Sequence, residues 1–300
     1  MIMHYTGTIW RPPYEAGSLL LEATAGCTHH KCKFCTLYND LPFSFQMSPL
    51  EDIEEDLQEA AKRNRMWGWE CRRVFLTGAN PFVLKFDLLM EIAALVKRYL
   101  PSCESIGSFA RITDIGLKSD EELQRLKSAG VDGLTIGMET ADEEALQFMN
   151  KGYGKKDILV QCGRLEQAGI SYKFFYLVGI SGKGRGAEGA KVTAEVCNQL
   201  HPKLVGANML TIYPDSELYQ EIRKENWQPE SEKEKYMEMK TLVENLAIET
   251  EFAATGASNA VQLYGVLPKD KTKLLAVLDE ITGSVDEKEL ENYRKNLRHL

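Results

Sequence analysis

The chain has 300 residues, 44% of them hydrophobic and 27% charged, with a net charge of −8. That length suits one barrel-sized domain or two ordinary ones, and the apolar content supplies a core, which excludes a disordered chain. The acidic balance disfavours a nucleic-acid partner, because phosphate binding wants a positive patch. No apolar run reaches membrane-spanning length, and the start MIMHYTGTIWRPPYEAG lacks the basic-then-apolar order of a secretory signal, so no membrane partner and a cytoplasmic location are expected.

Residues 1–17 read as an N-terminal extension, and a regular alternation follows. SLLLEAT (18–24) reads as a strand, and SPLEDIEEDLQEAAKR (48–63) as a helix with Ser48 placed to cap it. RRVFLTG (72–78) is a second strand, followed by the apolar-periodic LKFDLLMEIAALVKRYL. SIGSFA (105–110) is a third strand, and SDEELQRLKSAG (119–130) a helix closed by glycine. GLTIGME (133–139) is the fourth strand, with helices at 141–152 and about 155–168 before YKFFYLVG (172–179), the fifth. A helix in AEGAKVTAEVCNQL and a strand in KLVGANMLTIY (203–213) end the series. Continuously apolar strands alternating with helices predict an α/β fold with a parallel sheet, either an incomplete barrel or a doubly wound sheet. From about 216 the pattern turns helical and charged, with an irregular segment FAATGASNAVQLYGVLPKDK and final helices at about 269–282 and 286–298. Residues 216–300 are expected to form a helical cap on a core spanning 18–215.

In such folds ligands gather at the carboxyl ends of the strands. The first strand opens directly into GCTHHKCKFC, which places Cys27, Cys32 and Cys35 at that rim, with TGAN (77–80), ARITD (110–114), GMETA (137–141) and GISG (179–182) beside them. A zinc site completed by His29 or His30 is one reading of the thiols, although no second C-x2-C follows. Three thiolates in one loop with no fourth also suit a [4Fe–4S] cluster that leaves one iron open. Cys71, Cys103, Cys162 and Cys197 are scattered singly and read as small core residues. KGRGAEG (183–189) lacks the order of a phosphate loop and reads as a turn before a helix.

The cysteine loop, LTGAN, GLTIGMETADEEALQFMNKG, FFYLVGISG and LTIYPDSELY follow one another in the order and spacing of the radical S-adenosylmethionine (SAM) superfamily. The chain resembles in particular the branch of methylthiotransferases, coproporphyrinogen dehydrogenase and the Elongator catalytic core. The resemblance covers about residues 18–220 and implies a partial (β/α)6 TIM-type barrel. It departs from the family pattern in a C-x4-C-x2-C spacing one residue longer than the common one, in Ala79 and Asn80 at the Gly-Gly-Glu run, and in PDS for PGT.

The resemblance implies that Cys27, Cys32 and Cys35 ligate a [4Fe–4S] cluster whose open iron chelates SAM. It places Phe34 near the adenine and Thr77, Gly78 and Asn80 at the methionine end. Lys151 stands where relatives keep a cation for the methionine carboxylate. Glu139, ending an apolar strand, is expected to meet SAM or substrate, Arg111 to join the cofactor site, and Glu139 and Lys173 are candidate catalytic residues. Ser258, Asn259 and Tyr264, in the small and amide-rich stretch 255–265, are expected to fold over the barrel mouth as substrate contacts. The implied activity is reductive cleavage of SAM to methionine and a 5′-deoxyadenosyl radical that takes hydrogen from a small-molecule substrate. A flavodoxin- or ferredoxin-type protein is the expected electron donor. The competing readings are a zinc-stabilised barrel serving as a binding or scaffold protein, and a cluster protein that transfers electrons without cleaving SAM.

Overall fold

The computed structural model describes residues 3–296. The chain divides into two compact units, the first comprising Met1–His30, Leu37–Ile136 and Gln161–Tyr172, the second Lys31–Thr36, Gly137–Val160 and Lys173–Leu300. Among the described residues no helix is long and apolar enough to cross a membrane.

In the first unit, β1 (Leu19–Glu22) runs into β2 (Thr24–Gly26), which pairs antiparallel with β3 (Phe45–Met47). Helix α1 (Leu50–Trp67) follows. Pro49, not Ser48, takes its cap position; Ser48 instead donates its backbone N–H to Ala23 O at 3.0 Å. Strand β4 (Arg73–Thr77) lies beside β1, β5 (Ser105–Ala110) beside β4, and β6 (Leu134–Glu139) beside β5, all parallel. Helices α2 (Phe86–Tyr99), α3 (Ile112–Ile115) and α4 (Asp120–Ser128) fill the connections. Ser119 caps α4 in a reciprocal box with Glu122, satisfying two otherwise orphaned N–H groups. Val74, Phe75, Leu76 and Ile106 are buried, and Phe75 meets Phe109 edge to face at 5.0 Å. Each such side chain contributes about 1.5–3 kcal/mol by leaving water.

Strands β6 and β7 (Tyr172–Val178) each begin in the first unit and end in the second. Helix α5 (Glu143–Phe148) follows β6, and α6 (Lys155–Gln167) leads back to β7. In the second unit β8 (Leu204–Met209) pairs parallel with β7, after α7 (Gly186–Cys197). Helices α8 (Glu217–Arg223), α9 (Glu232–Asn245), α10 (Lys271–Ser284) and α11 (Glu287–Lys295) account for the helical tail. Positions 297 and 298 of the last expected helix lie outside the described residues. The stretch read as irregular instead contains β9 (Thr250–Ala254), parallel to β8, and β10 (Leu263–Leu267), antiparallel to β9. Buried and exposed residues alternate along β10, as on a strand with one wet face. The α/β class with parallel strands alternating with helices is the architecture observed.

One buried charge pair fastens the end of the N-terminal extension, whose start is held by His4 and Thr6 on Asp56 and Glu22. Glu15, whose side chain is 0% exposed, receives the Nε and Nη2 of Arg73, both at 2.8 Å. Arg73 also donates to Ser105 Oγ at 2.9 Å and Gly133 O at 3.1 Å, so a single guanidinium joins the starts of β4, β5 and β6. The space it occupies is kept by glycine: a Cβ at Gly107 would stand 2.3 Å from Arg73 Nη2. Removing the carboxylate leaves a desolvated cation, so Glu15→Ala is expected to cost about 3 kcal/mol of stability. Urea unfolding checks this, and an unchanged midpoint refutes it.

Candidate functional site

The cysteine loop starts in the first unit. Gly26, at φ 78°, turns the chain where a Cβ would meet Ser44 O at 2.2 Å, and Cys27 then donates its N–H to Ser44 O at 2.7 Å. Thr28 is clipped to the end of β4. Asn80 Nδ2 donates to Thr28 Oγ1 at 2.8 Å and to the carboxylate oxygens of Asp114 at 3.1 and 3.2 Å. Asp114 also accepts the N–H of Arg111 at 2.8 Å. Asn80 is fully buried and Asp114 nearly so, and burial pushes the Asp114 carboxyl above its ordinary range. Asn80, expected at the methionine end of SAM, thus has its amide protons engaged by the protein. Arg111 caps α3 and turns its guanidinium to Thr113 Oγ1 at 3.2 Å. Thr77 is buried with no hydrogen-bond partner for its hydroxyl, and Gly78, at φ 121°, passes where a Cβ would be 2.1 Å from the equally unpartnered Thr24 Oγ1.

The rest of the loop, Lys31–Thr36, belongs to the second unit. Asn150 Nδ2 donates to Lys31 O at 3.0 Å, Lys33 N–H to Met149 O at 3.2 Å, and Leu218 N–H to Lys33 O at 2.7 Å. Cys35 closes a turn by donating to Cys32 O at 3.1 Å. Phe34 packs against the cluster of Met149, Ile180, Leu210, Leu218 and Trp227. Lys151 Nζ lies 5.6 Å from the Phe34 ring centre, 5.5 Å from that of Tyr153 and 3.2 Å from Glu139 Oε1. Three residues named separately from the sequence, Phe34, Glu139 and Lys151, therefore meet. Glu139 holds a left-handed backbone at φ 64°, a conformation that costs a non-glycine residue about 1 kcal/mol or more and recurs at functional sites. A Cβ at Gly137 would be 2.7 Å from Glu139 Oε1, so the glycine gives that carboxylate its room.

Cys27, Cys32 and Cys35 are each half-buried, and among the described residues none of the cysteines is in a disulfide. Among the same residues no group of three or more His, Cys, Asp or Glu side chains is gathered closely enough to hold a metal ion. The donor chemistry fits an iron–sulfur cluster, since three thiols sit in one backbone-anchored loop. His30 turns to Asn39 Oδ1 at 3.1 Å on the surface.

Beneath the loop after β7 lies a group that the sequence reading missed. Glu238, fully buried on α9, accepts the Gly179 N–H at 2.7 Å and the Tyr176 hydroxyl. It shares a hydrogen bond with Glu230, which in turn accepts the N–H of Gly186 at the start of α7. Burial, and then the charge of Glu230, raise the Glu238 carboxyl well above its ordinary range. Burial of two neighbouring carboxyls consequently favours a shared proton on the pair. A Cβ at Gly186 would stand 2.1 Å from Glu230 Oε1 and 2.6 Å from Glu238 Oε2.

Other expected residues sit elsewhere. Lys173 is the second residue of β7, about 17 Å from the strand's carboxyl end at ~3.3 Å per residue, so it is not a rim residue. Asn259 is buried and donates to Ala207 O at 3.0 Å on β8, while Ser258 offers its carbonyl to Arg294 Nη1 at 2.6 Å. Tyr264 is 56% exposed on β10 and donates to Glu251 at 3.0 Å. Ser258 and Asn259 thus pack toward the end of β8, whereas Tyr264 faces solvent and does not join them.

Comparison with known proteins bears on this geometry. The family model described as the radical SAM superfamily matches residues 21–184. A heme chaperone, HemW of Bacillus subtilis, is 23% identical over 146 residues, 47% of this chain and 37% of the relative. The chain therefore spans a little over a third of that relative's length. Among solved structures, methylornithine synthase (PylB) aligns with TM-score 0.57 and 15% identity, covering 92% of this chain and 85% of its own. The methyltransferase TsrM of Kitasatospora setae, with cobalamin and a [4Fe–4S] cluster bound, aligns with TM-score 0.56 and 17% identity over 69% of this chain and 37% of its own. At those identities the structures are similar in fold.

Two expectations follow from the buried carboxyls. Asn80→Asp sets a second carboxylate against Asp114, and is expected to lower stability by about 2 kcal/mol at pH 8 and by less at pH 5, where protonation relieves the repulsion. Thermal melts at both pH values check it, and a pH-independent loss refutes it. Glu238, with its folded pKa raised, contributes stability that is complete below its unfolded value near 4.5 and is lost as pH rises through the folded one. Glu238→Gln, which mimics the protonated form, is expected to match the parent melting temperature at pH 5 and exceed it by roughly 3 °C at pH 9. Equal melting temperatures at pH 9 overturn this reading.

Proposed function

The chain belongs to the radical SAM superfamily, and on that premise we propose that it cleaves SAM reductively and uses the resulting radical on a small-molecule substrate. Cys27, Cys32 and Cys35 hold the [4Fe–4S] cluster in this reading. What carries it is the presence of all three thiols, in one backbone-anchored loop, inside the stretch matched by the family model. When bound, such a cluster supplies an electron and an open iron for cleaving SAM to methionine and a 5′-deoxyadenosyl radical.

The chain's own residues bind and orient. Lys151 offers a buried cation for the methionine carboxylate, and Glu139, at 3.2 Å, aims its ammonium. Phe34 presents an aromatic ring 5.6 Å from the Lys151 ammonium, suited to an adenine. Gly78 lets backbone approach closely at the end of β4, with the buried Thr77 hydroxyl next to it. Asn80 holds Thr28 in place and so positions Cys27. Arg111, through its N–H, holds Asp114 in the same clip. The chain's acidity and lack of a long basic tract favour a small metabolite as substrate, and reduction of the cluster calls for a flavodoxin- or ferredoxin-type electron donor. A reducing cytoplasm keeps the thiols available.

A second reading is a cluster protein that binds a tetrapyrrole without cleaving SAM, which the similarity to a heme chaperone favours. The deciding experiment reconstitutes the protein anaerobically with iron and sulfide, reduces it with dithionite in the presence of SAM, and measures 5′-deoxyadenosine. Product is expected from the parent chain and is expected to fall to background in Cys32→Ala. A cluster with no cleavage, together with saturable hemin binding, would replace the first reading with the second.

A further inference from the structure

The far end of α1 carries a surface that none of the chemistry above uses. Met66, Trp67 and Trp69 are 65%, 63% and 67% exposed, and the two indoles stack on each other at 6.0 Å with 28° between their planes. The buried face of α1, formed by Ile53, Asp56, Leu57, Ala60 and Ala61, ends before them, so the core does not demand these side chains. Gly68, at φ 66° with open space where its Cβ would be, closes the helix, and Trp69 returns its N–H to Asn64 O at 3.0 Å. The result is a tip and not a groove.

A basic collar surrounds the tip in a chain whose net charge is −8. Lys62, Arg63, Arg65 and Arg72 are exposed. Arg63 pairs with Glu59 at 3.0 Å and Arg72 with Glu70 and Glu104 at 3.1 Å, whereas among the described residues Lys62 and Arg65 make no ion pair. With 150–250 Å² per aromatic side chain, the two indoles at these exposures show roughly 300 Å². That is the scale at which exposed patches mark interaction sites, yet less than half of the ~800 Å² each partner contributes to a standard protein interface.

We propose that this tip docks on an anionic lipid bilayer. The indoles and Met66 enter the headgroup–acyl boundary, the position that tryptophan favours because its ring is apolar and its N–H polar. Lys62 and Arg65, which make no ion pair among the described residues, lie against the lipid phosphates. The contact is peripheral and needs no membrane-spanning helix. The tip precedes β4, whose opposite end leads into Gly78 and Asn80, so docking leaves that rim facing away from the lipid.

The test uses the full chain with vesicles of phosphatidylglycerol and phosphatidylcholine, read by co-sedimentation and tryptophan emission. Of the four tryptophans, Trp10 is half-buried and Trp227 is 9% exposed, so a blue shift reports on Trp67 and Trp69. Expected are binding to anionic vesicles, a blue shift, and weakening with salt. A double variant Trp67→Ser with Trp69→Ser is expected to bind at least about tenfold more weakly with an unchanged melting temperature. Lys62→Glu with Arg65→Glu removes the preference for anionic over neutral vesicles. No shift and no co-sedimentation at low salt overturn the proposal. So does self-association that the double tryptophan variant abolishes, which assigns the tip to a second copy of the chain.

Discussion

Lys33 is held by its backbone from both sides, and the meeting of Phe34, Lys151 and Glu139 depends on that hold. Its N–H goes to Met149 and its C=O receives Leu218, so the loop between Cys32 and Cys35 is fastened to the ends of two helical segments. Backbone hydrogen bonds of this kind act irrespective of side-chain identity, which makes them a robust means of fixing a loop whose side chains are reserved for ligation. Phe34 follows directly and reaches the Ile180–Leu210 cluster, and Lys151, two residues past Met149, approaches its ring. The strained Glu139 then completes the ion pair. The sequence of dependence runs from main chain to aromatic ring to cation to carboxylate.

Two other buried polar side chains, Asn80 and Glu238, are satisfied by residues distant in sequence, each beside a strand-end turn. Asn80 joins the residue after Cys27 to the turn after β5, and Glu238 joins the turn after β7 to the start of α7 through Glu230. Leaving any one of these groups without its partner carries a desolvation cost of about 1–3 kcal/mol. Glycines at 78, 107, 137 and 186 supply the space, with neighbouring polar atoms occupying the position of a side chain.

Much of this organisation could be read from the chain, because local signals encode it. Apolar runs gave the parallel strands, Ser119 with Glu122 gave a helix start, and the clustered thiols marked the rim loop. Long-range pairing was not encoded locally. Nothing near Asn80 announces Asp114, 34 residues on, and nothing near Tyr176 announces Glu238. Ser48 looked like a cap because its residue type is right, but the following proline occupies the cap position. Strands β9 and β10 were hidden by their glycine and small residues, which have low strand propensity and form strands here through pairing with β8 and with each other. Lys173 was misplaced because a strand's hydrophobicity marks its extent and not the distance of each residue from the functional end.

The carboxyl pair beneath the loop after β7 also constrains how the second unit can assemble. In the unfolded chain at neutral pH both Glu230 and Glu238 are ionised and hydrated, whereas burial with α9 docked raises both carboxyls and favours a proton on the pair. The docked α9 is therefore held less tightly in alkali, where the pair must give up the proton that burial favours. Because Glu238 also accepts the Gly179 N–H, the shape of the loop at the end of β7 is tied to the same proton.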